Sequence, residues 1–188
     1  MRNRLGIIVG GQKDFAALKA RFGAVFEILK LDGPRGHGVT PGDIVAATKK
    51  QIAILNALGA SEILVMLDCE NTTVPCEKSV KEFTLLLRTM GAAESVQVTM
   101  PDRMIENWYL ADIAYLSKKR KTFFRGVLKQ KNYEGKNGRT VLKRLLHKSV
   151  TYNEVIHGAQ MFKTIRFSAA KANSRSFSSF YAIIKRFL

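Results

Sequence analysis

Acidic residues are in short supply in this chain: 15 Asp+Glu stand against 31 Lys+Arg in 188 residues, a formal net charge of +16. Cysteine is scarcer still. Cys69 and Cys76 are the only two, too few for a disulfide framework, and they read as reduced thiols of a cytoplasmic protein. The three histidines are scattered, which argues against a structural zinc site. No apolar run approaches the roughly 18 residues that a membrane-spanning helix needs, so no membrane partner is expected. The first eleven residues hold one short apolar stretch and no clear small-residue cleavage site, which argues against a secretory signal. Neither internal repeats nor a long linker can be found. The Gly-x-x-x-x-Gly-Lys-Ser/Thr spacing of a nucleoside-triphosphate loop is missing, as are helix-turn-helix and RNP signatures.

What is present bounds the answer from the other side. A 46% hydrophobic share and 11 Phe are too apolar for a disordered basic tail. The length suits one domain, or one domain with a helical extension. The charge is unevenly placed. Residues 1–100 carry 12 basic and 10 acidic side chains, whereas residues 101–188 carry 19 and 5. That asymmetry points to a polyanion, nucleic acid in particular, met mainly through the second half.

The first hundred residues alternate between strand and helix patterns. Leu5-Gly-Ile-Ile-Val9 reads as a buried strand closed by Gly10-Gly11. Phe15 to Phe22 has helical spacing, and Val25 to Leu31 alternates as a second strand. Thr40-Pro41-Gly42-Asp43 starts a helix that runs to Leu58 and stops at Gly59. Glu62 to Leu67 is the clearest buried strand, and it leads into Asp68-Cys69-Glu70. A helix from Pro75 to Gly91 and a strand over Ser95 to Met100 complete the series. The expected fold is an α/β sheet with parallel strands and helices on both faces. Met104 to Ile113 has a single helical period, and short helices are expected at Val141–Leu146, around Tyr152–Phe162 and at Ser176–Phe187. The division is a core over 1–113 and a basic helical extension over 114–188, packed on the core as one compact domain.

In such sheets functional residues gather at the carboxyl ends of strands. Asp68 and Glu70 lie two apart just past a strand, which would put both carboxylates on one side if the strand pattern persisted. Clustered carboxylates repel unless a cation lies between them, and oxygen ligands suit Mg²⁺ or Mn²⁺. The plainer alternative is two solvated loop acids. Glu106 sits beside Trp108 in an apolar pattern, although a Glu at a helix start is also a common dipole partner. Asp112 reads as an exposed acid further along that helix. Lys118, Lys119, Arg120 and Lys121, followed by Phe123 and Phe124, combine charges for phosphates with rings for bases. Arg125, Lys136, Arg139, Lys143 and Arg175 extend the basic surface. His37, in a glycine-rich loop, is a minor candidate for a phosphate-side donor or general acid.

Four segments in order resemble a known pattern: Ile7-Ile-Val-Gly10-Gly11-Gln-Lys-Asp14, Leu64-Val-Met-Leu-Asp68-Cys-Glu70, Ile105-Glu106-Asn-Trp108-Tyr-Leu-Ala-Asp112, and Ser174-Arg-Ser-Phe177-Ser-Ser-Phe180. Together they resemble the small TOPRIM-like proteins found near phage-defence genes, related to the TOPRIM domain of the overcoming-lysogenisation-defect nucleases. The resemblance implies a TOPRIM-like (Rossmannoid) α/β core and a Mg²⁺- or Mn²⁺-dependent nuclease acting as a toxin in antiviral defence. Asp14, Asp68, Glu70 and Glu106 would be its metal ligands, with Asp68, Glu70 and Glu106 catalytic. It also implies a separately encoded ABC/SMC-like or AAA-type ATPase as partner, with a homodimer left open. The chain departs from the pattern at Gly10, where the family has a Glu. A catalytically degenerate binding subunit therefore stands as the alternative.

Overall fold

The computed structural model describes residues 4–33, 39–69 and 75–188. Four strands and three helices alternate first: β1 (Leu5–Val9), α1 (Gln12–Phe22), β2 (Glu27–Lys30), α2 (Pro41–Ala57), β3 (Glu62–Met66), α3 (Cys76–Thr89) and β4 (Val96–Thr99). Six short helices follow: α4 (Glu106–Leu110), α5 (Ile113–Lys119), α6 (Gly138–Leu145), α7 (Ile156–Thr164), α8 (Phe167–Asn173) and α9 (Arg175–Ile184). The four strands form one parallel sheet in the order β2-β1-β3-β4, a Rossmann-like arrangement flanked by helices.

Strand alternation sorts the side chains into two cores. Leu5, Ile7, Val9, Leu64 and Met66 face one side. There they meet Phe22 of α1 and a group of rings from the second half of the chain, Trp108, Phe162, Phe177 and Phe180. The Trp108 and Phe180 rings stand 4.7 Å apart, and Phe22 lies edge-on to Phe162 at 6.0 Å. Ile8, Ile63, Val65, Val96 and Val98 face the other side, against Val45 and Leu55 of α2 and Phe83 and Leu87 of α3. Aromatic packing of this kind adds about 0.5–1.5 kcal/mol per pair beyond area burial.

Local chemistry sets the helix ends. Thr40 caps α2 through a full capping box with Asp43, and Pro41 occupies the first turn. Gly59 and Gly91 follow α2 and α3 with φ of +85° and +84°, a conformation that favours glycine. α7 packs along α1, and the Arg21 guanidinium stacks on Phe167 at 4.4 Å while donating to the Lys163 carbonyl.

The last motif of the sequence is a structural joint. The Ser176 hydroxyl accepts both the Trp108 indole N–H at 2.9 Å and the Asp102 backbone N–H at 3.0 Å. Ser174 caps α9 and donates to Glu134, which also accepts the Arg175 N–H. The end of β4, α4 and α9 are thereby tied together.

Several local expectations are corrected. The single helix over Met104 to Ile113 is broken between α4 and α5 at Asp112, whose φ of −128° and ψ of 35° are not helical. Asp112 is not exposed: it retains 1% of its accessible surface. Its carboxylate accepts the Arg166 backbone N–H at 2.8 Å, Nε–H at 3.1 Å and Nη2–H at 2.7 Å. Helical periodicity cannot reveal a partner 54 residues away. β3 ends at Met66, so strand alternation does not place Asp68. α8 was not foreseen, and α7 starts at Ile156 rather than near Tyr152. His37 and Glu70 lie outside the described residues.

Candidate functional site

The chain leaves β1 toward β2 and then crosses back to β3 on the other side of β1. The carboxyl ends of β1 and β3 therefore flank the point where the connection reverses, the usual place for a ligand in an open parallel sheet. A cleft of about 1010 Å³ opens there, with Lys13, Asp14, Asp68, Glu82, Arg139 and Glu154 among its charged lining residues. Leu31, Ile44, Leu67, Phe83 and Leu86 are among its apolar ones.

Each polar residue has a distinct carrier. Gly10 and Gly11 turn the chain from β1 into α1, which puts Lys13 and buried Asp14 in the first helical turn. Nothing in the backbone conformation demands glycine at position 10. A Cβ there would come within 3.3 Å of Leu67 Cδ2, a contact that a small shift relieves. Asp68 follows β3. Glu106 opens α4 and is fully buried. Arg139 arrives because α6 crosses α4 closely at Gly138, where an added Cβ would sit 2.9 Å from the Asn107 nitrogen. Asn107 fixes the loop before α6 by donating to the Tyr133 and Lys136 carbonyls.

At the centre is an ammonium. Lys13 Nζ lies 2.8 Å from Asp68 Oδ2 and 3.7 Å from Glu106 Oε2. Burial alone would lower the Lys13 pKa, but the charges of Asp68, Glu106 and Asp14 together outweigh it and hold the pKa above the ordinary lysine value. Tyr152 donates to Glu106 Oε1 at 3.2 Å. Burial, followed by the Glu106 charge, pushes the Tyr152 phenol well above its usual range. The Tyr109 hydroxyl is buried, has no hydrogen-bond partner among the described residues, and is close enough to Glu106, Asp14 and Asp68 to feel their charges. Glu106 Oε2 likewise accepts no hydrogen bond there. Arg139 Nε is 2.8 Å from Glu154 Oε1.

The fold thus brings Asp14, Asp68, Glu106 and Arg139 to one region. It leaves the other basic candidates elsewhere. Lys118, Lys119 and Lys121 are exposed at the end of α5 and in the turn after it, and Arg120 donates to Gln160. Arg125 is engaged with the Leu146 carbonyl. Lys136, Lys143 and Arg175 are exposed. Phe124, Phe177 and Phe180 are buried in the core. Asp112 serves Arg166. Sequence reasoning missed Lys13, Tyr109, Tyr152 and Glu154 as members of the site. Lys13 adjoins Asp14 in a motif segment, but lysine on a basic chain carries no distinguishing signal.

The donor set of Asp14, Asp68 and Glu106 is all carboxylate oxygen, which suits a hard cation such as Mg²⁺ or Mn²⁺. The Tyr109 hydroxyl and Glu106 Oε2, both without a hydrogen bond among the described residues, agree with a further polar ligand in the centre. Among the described residues, no three Asp, Glu, His or Cys side chains are gathered tightly enough to enclose a metal ion as they stand.

A family model described as a domain of unknown function, DUF4276, matches residues 20–185. The chain belongs to the DUF4276 family. The DUF4276 match includes Asp68, Glu106 and Arg139, and begins after Lys13 and Asp14. No curated protein and no solved structure matches the chain. Among the described residues, no helix is long and apolar enough to cross a membrane.

Proposed function

We propose that this DUF4276 protein is a TOPRIM-like, Mg²⁺-dependent nuclease, an effector of antiviral defence that cleaves DNA or RNA, tRNA included. The observation that carries the reading is the convergence of Asp14, Asp68 and Glu106, from three separate elements, on the carboxyl ends of β1 and β3. Two cationic side chains, Lys13 and Arg139, line the cleft together with Asp14 and Asp68, and the second half of the chain is strongly basic. A divalent cation bound by these acids supplies Lewis-acid polarisation of a phosphodiester and activation of water. The protein's own groups do the rest. Arg139 offers a planar fork for a phosphate, Tyr152 orients Glu106, and the exposed lysines hold the rest of the polyanion. A separately encoded ABC/SMC-like or AAA-type ATPase partner belongs to the same proposal, as does a homodimer.

A second reading, a binding subunit without catalysis, is favoured by Gly10 and by the ammonium beside Asp68. Incubation of plasmid DNA and of tRNA with Mg²⁺ separates the two. The nuclease reading expects cleavage that EDTA and Asp68→Ala abolish. Equal behaviour of wild type and variant sinks it, and salt-sensitive binding that survives EDTA then supports the binding subunit.

A further inference from the structure

We propose that Lys13 is a tethered cation that occupies the carboxylate site at rest, so that a divalent ion enters only as the ammonium leaves for a phosphate group of the substrate. The inference rests on the metal-site reading above and concerns how that site is loaded.

The argument begins with distances. An ammonium 2.8 Å from Asp68 and 3.7 Å from Glu106 stands against two of the three carboxylates available for a metal. A dication and an ammonium cannot share those oxygens at such range without strong repulsion in a partly buried setting. The Lys13 side chain is 12% exposed, and the Glu106 side chain 1%, so little water is present to screen them. Burial of Glu106 is tolerable only with a cation nearby, and Lys13 supplies it.

Lys13 also has somewhere to go. Its Cα is fixed in the first turn of α1, but the charge sits on a four-carbon flexible stem. It lines the cleft of about 1010 Å³ together with Arg139. A phosphate entering beside Arg139 offers the ammonium a new anionic partner within the same cavity. The buried Tyr109 hydroxyl, without a hydrogen-bond partner among the described residues, is a second and independent sign that a polar ligand completes the centre. Metal and phosphate are then thermodynamically linked, each raising the affinity for the other by the same factor.

The test reads metal binding and needs no turnover. Free Mn²⁺ is followed by electron paramagnetic resonance during titration of wild type and Lys13→Met, with and without thymidine 3′,5′-bisphosphate, and thermal unfolding confirms that both chains are folded. The expected result is weak Mn²⁺ binding to wild type that tightens about tenfold or more with the bisphosphate. Lys13→Met binds Mn²⁺ about tenfold more tightly than wild type without the bisphosphate, and gains little on its addition. Mn²⁺ binding that is unchanged in Lys13→Met, or indifferent to the bisphosphate in wild type, overturns this inference alone. Absence of Mn²⁺ binding in both chains under both conditions overturns the metal-site reading and this inference with it.

Discussion

The Asp112–Arg166 clasp gives a sharp division between the two acids of one motif. Asp112 is buried and accepts three hydrogen bonds from Arg166, one of them from the backbone N–H that starts α8. The guanidinium is half exposed, with 52% of the Arg166 side-chain surface accessible, and it stacks on Tyr115 at 4.4 Å. Solvent screening reduces the two guanidinium bonds to the level of a surface pair, about 0–1 kcal/mol. The backbone bond to a buried carboxylate contributes about 1.5–3 kcal/mol. Asp112→Ala therefore costs about 2–4 kcal/mol, a fall in Tm of about 4–16 °C for a chain of this size. Asp112→Asn keeps an acceptor for the N–H and costs clearly less. Urea and thermal unfolding followed by circular dichroism measure both. The proposed nuclease activity and Mn²⁺ binding are expected to be the same in the folded variants as in wild type. An Asp112→Ala protein as stable as wild type, or one that is stable but no longer cleaves or binds Mn²⁺, refutes the assignment of Asp112 to the scaffold.

Two further outcomes are expected. Gly138→Ala forces a Cβ against the Asn107 backbone, which costs about 1–3 kcal/mol and moves Arg139 in the cleft; unfolding midpoints and nucleic-acid affinity should both fall. His157 is held below its usual pKa by burial and then by the Arg120 charge, and its Nδ1 accepts the Asn153 N–H. The folded chain then binds fewer protons than the unfolded one, so this contribution to stability is complete above pH 6.5 and is lost as the pH falls through the lowered value. Urea midpoints between pH 7.5 and pH 5 should drop more in wild type than in His157→Phe, which keeps a ring against Phe123.

Legibility followed the pattern of burial. β1 and β3 read directly as apolar runs because a parallel strand is covered on both sides. α2 was readable to its first residue, since Thr40, Pro41 and Asp43 are a local code. The break between α4 and α5 was not, because nearly every position from Met104 to Ile113 is buried; an enclosed segment has no polar face to mark where it turns. α8 contributes only Ala170 as a fully buried residue, too little for a periodic signal. In the site, Asp68 was legible as an acid after a strand and Glu106 as an acid beside Trp108 in an apolar pattern, whereas Asp14 entered only through the family resemblance. The ammonium between them depends on how α1 is set against β3, which no spacing in the sequence encodes.

The packing of α1 against α7 also bears on the birth of the protein. α1 is complete by Phe22, yet the helix that covers it begins at Ile156, so a growing chain carries its first apolar helix face bare through most of synthesis. Contacts so distant in sequence slow folding and leave intermediates prone to aggregation. They also delay assembly of the cleft, because Arg139, Tyr152 and Glu154 reach Lys13, Asp68 and Glu106 only with the second half. The site proposed for cleavage is therefore assembled only once the second half of the chain has folded onto the first.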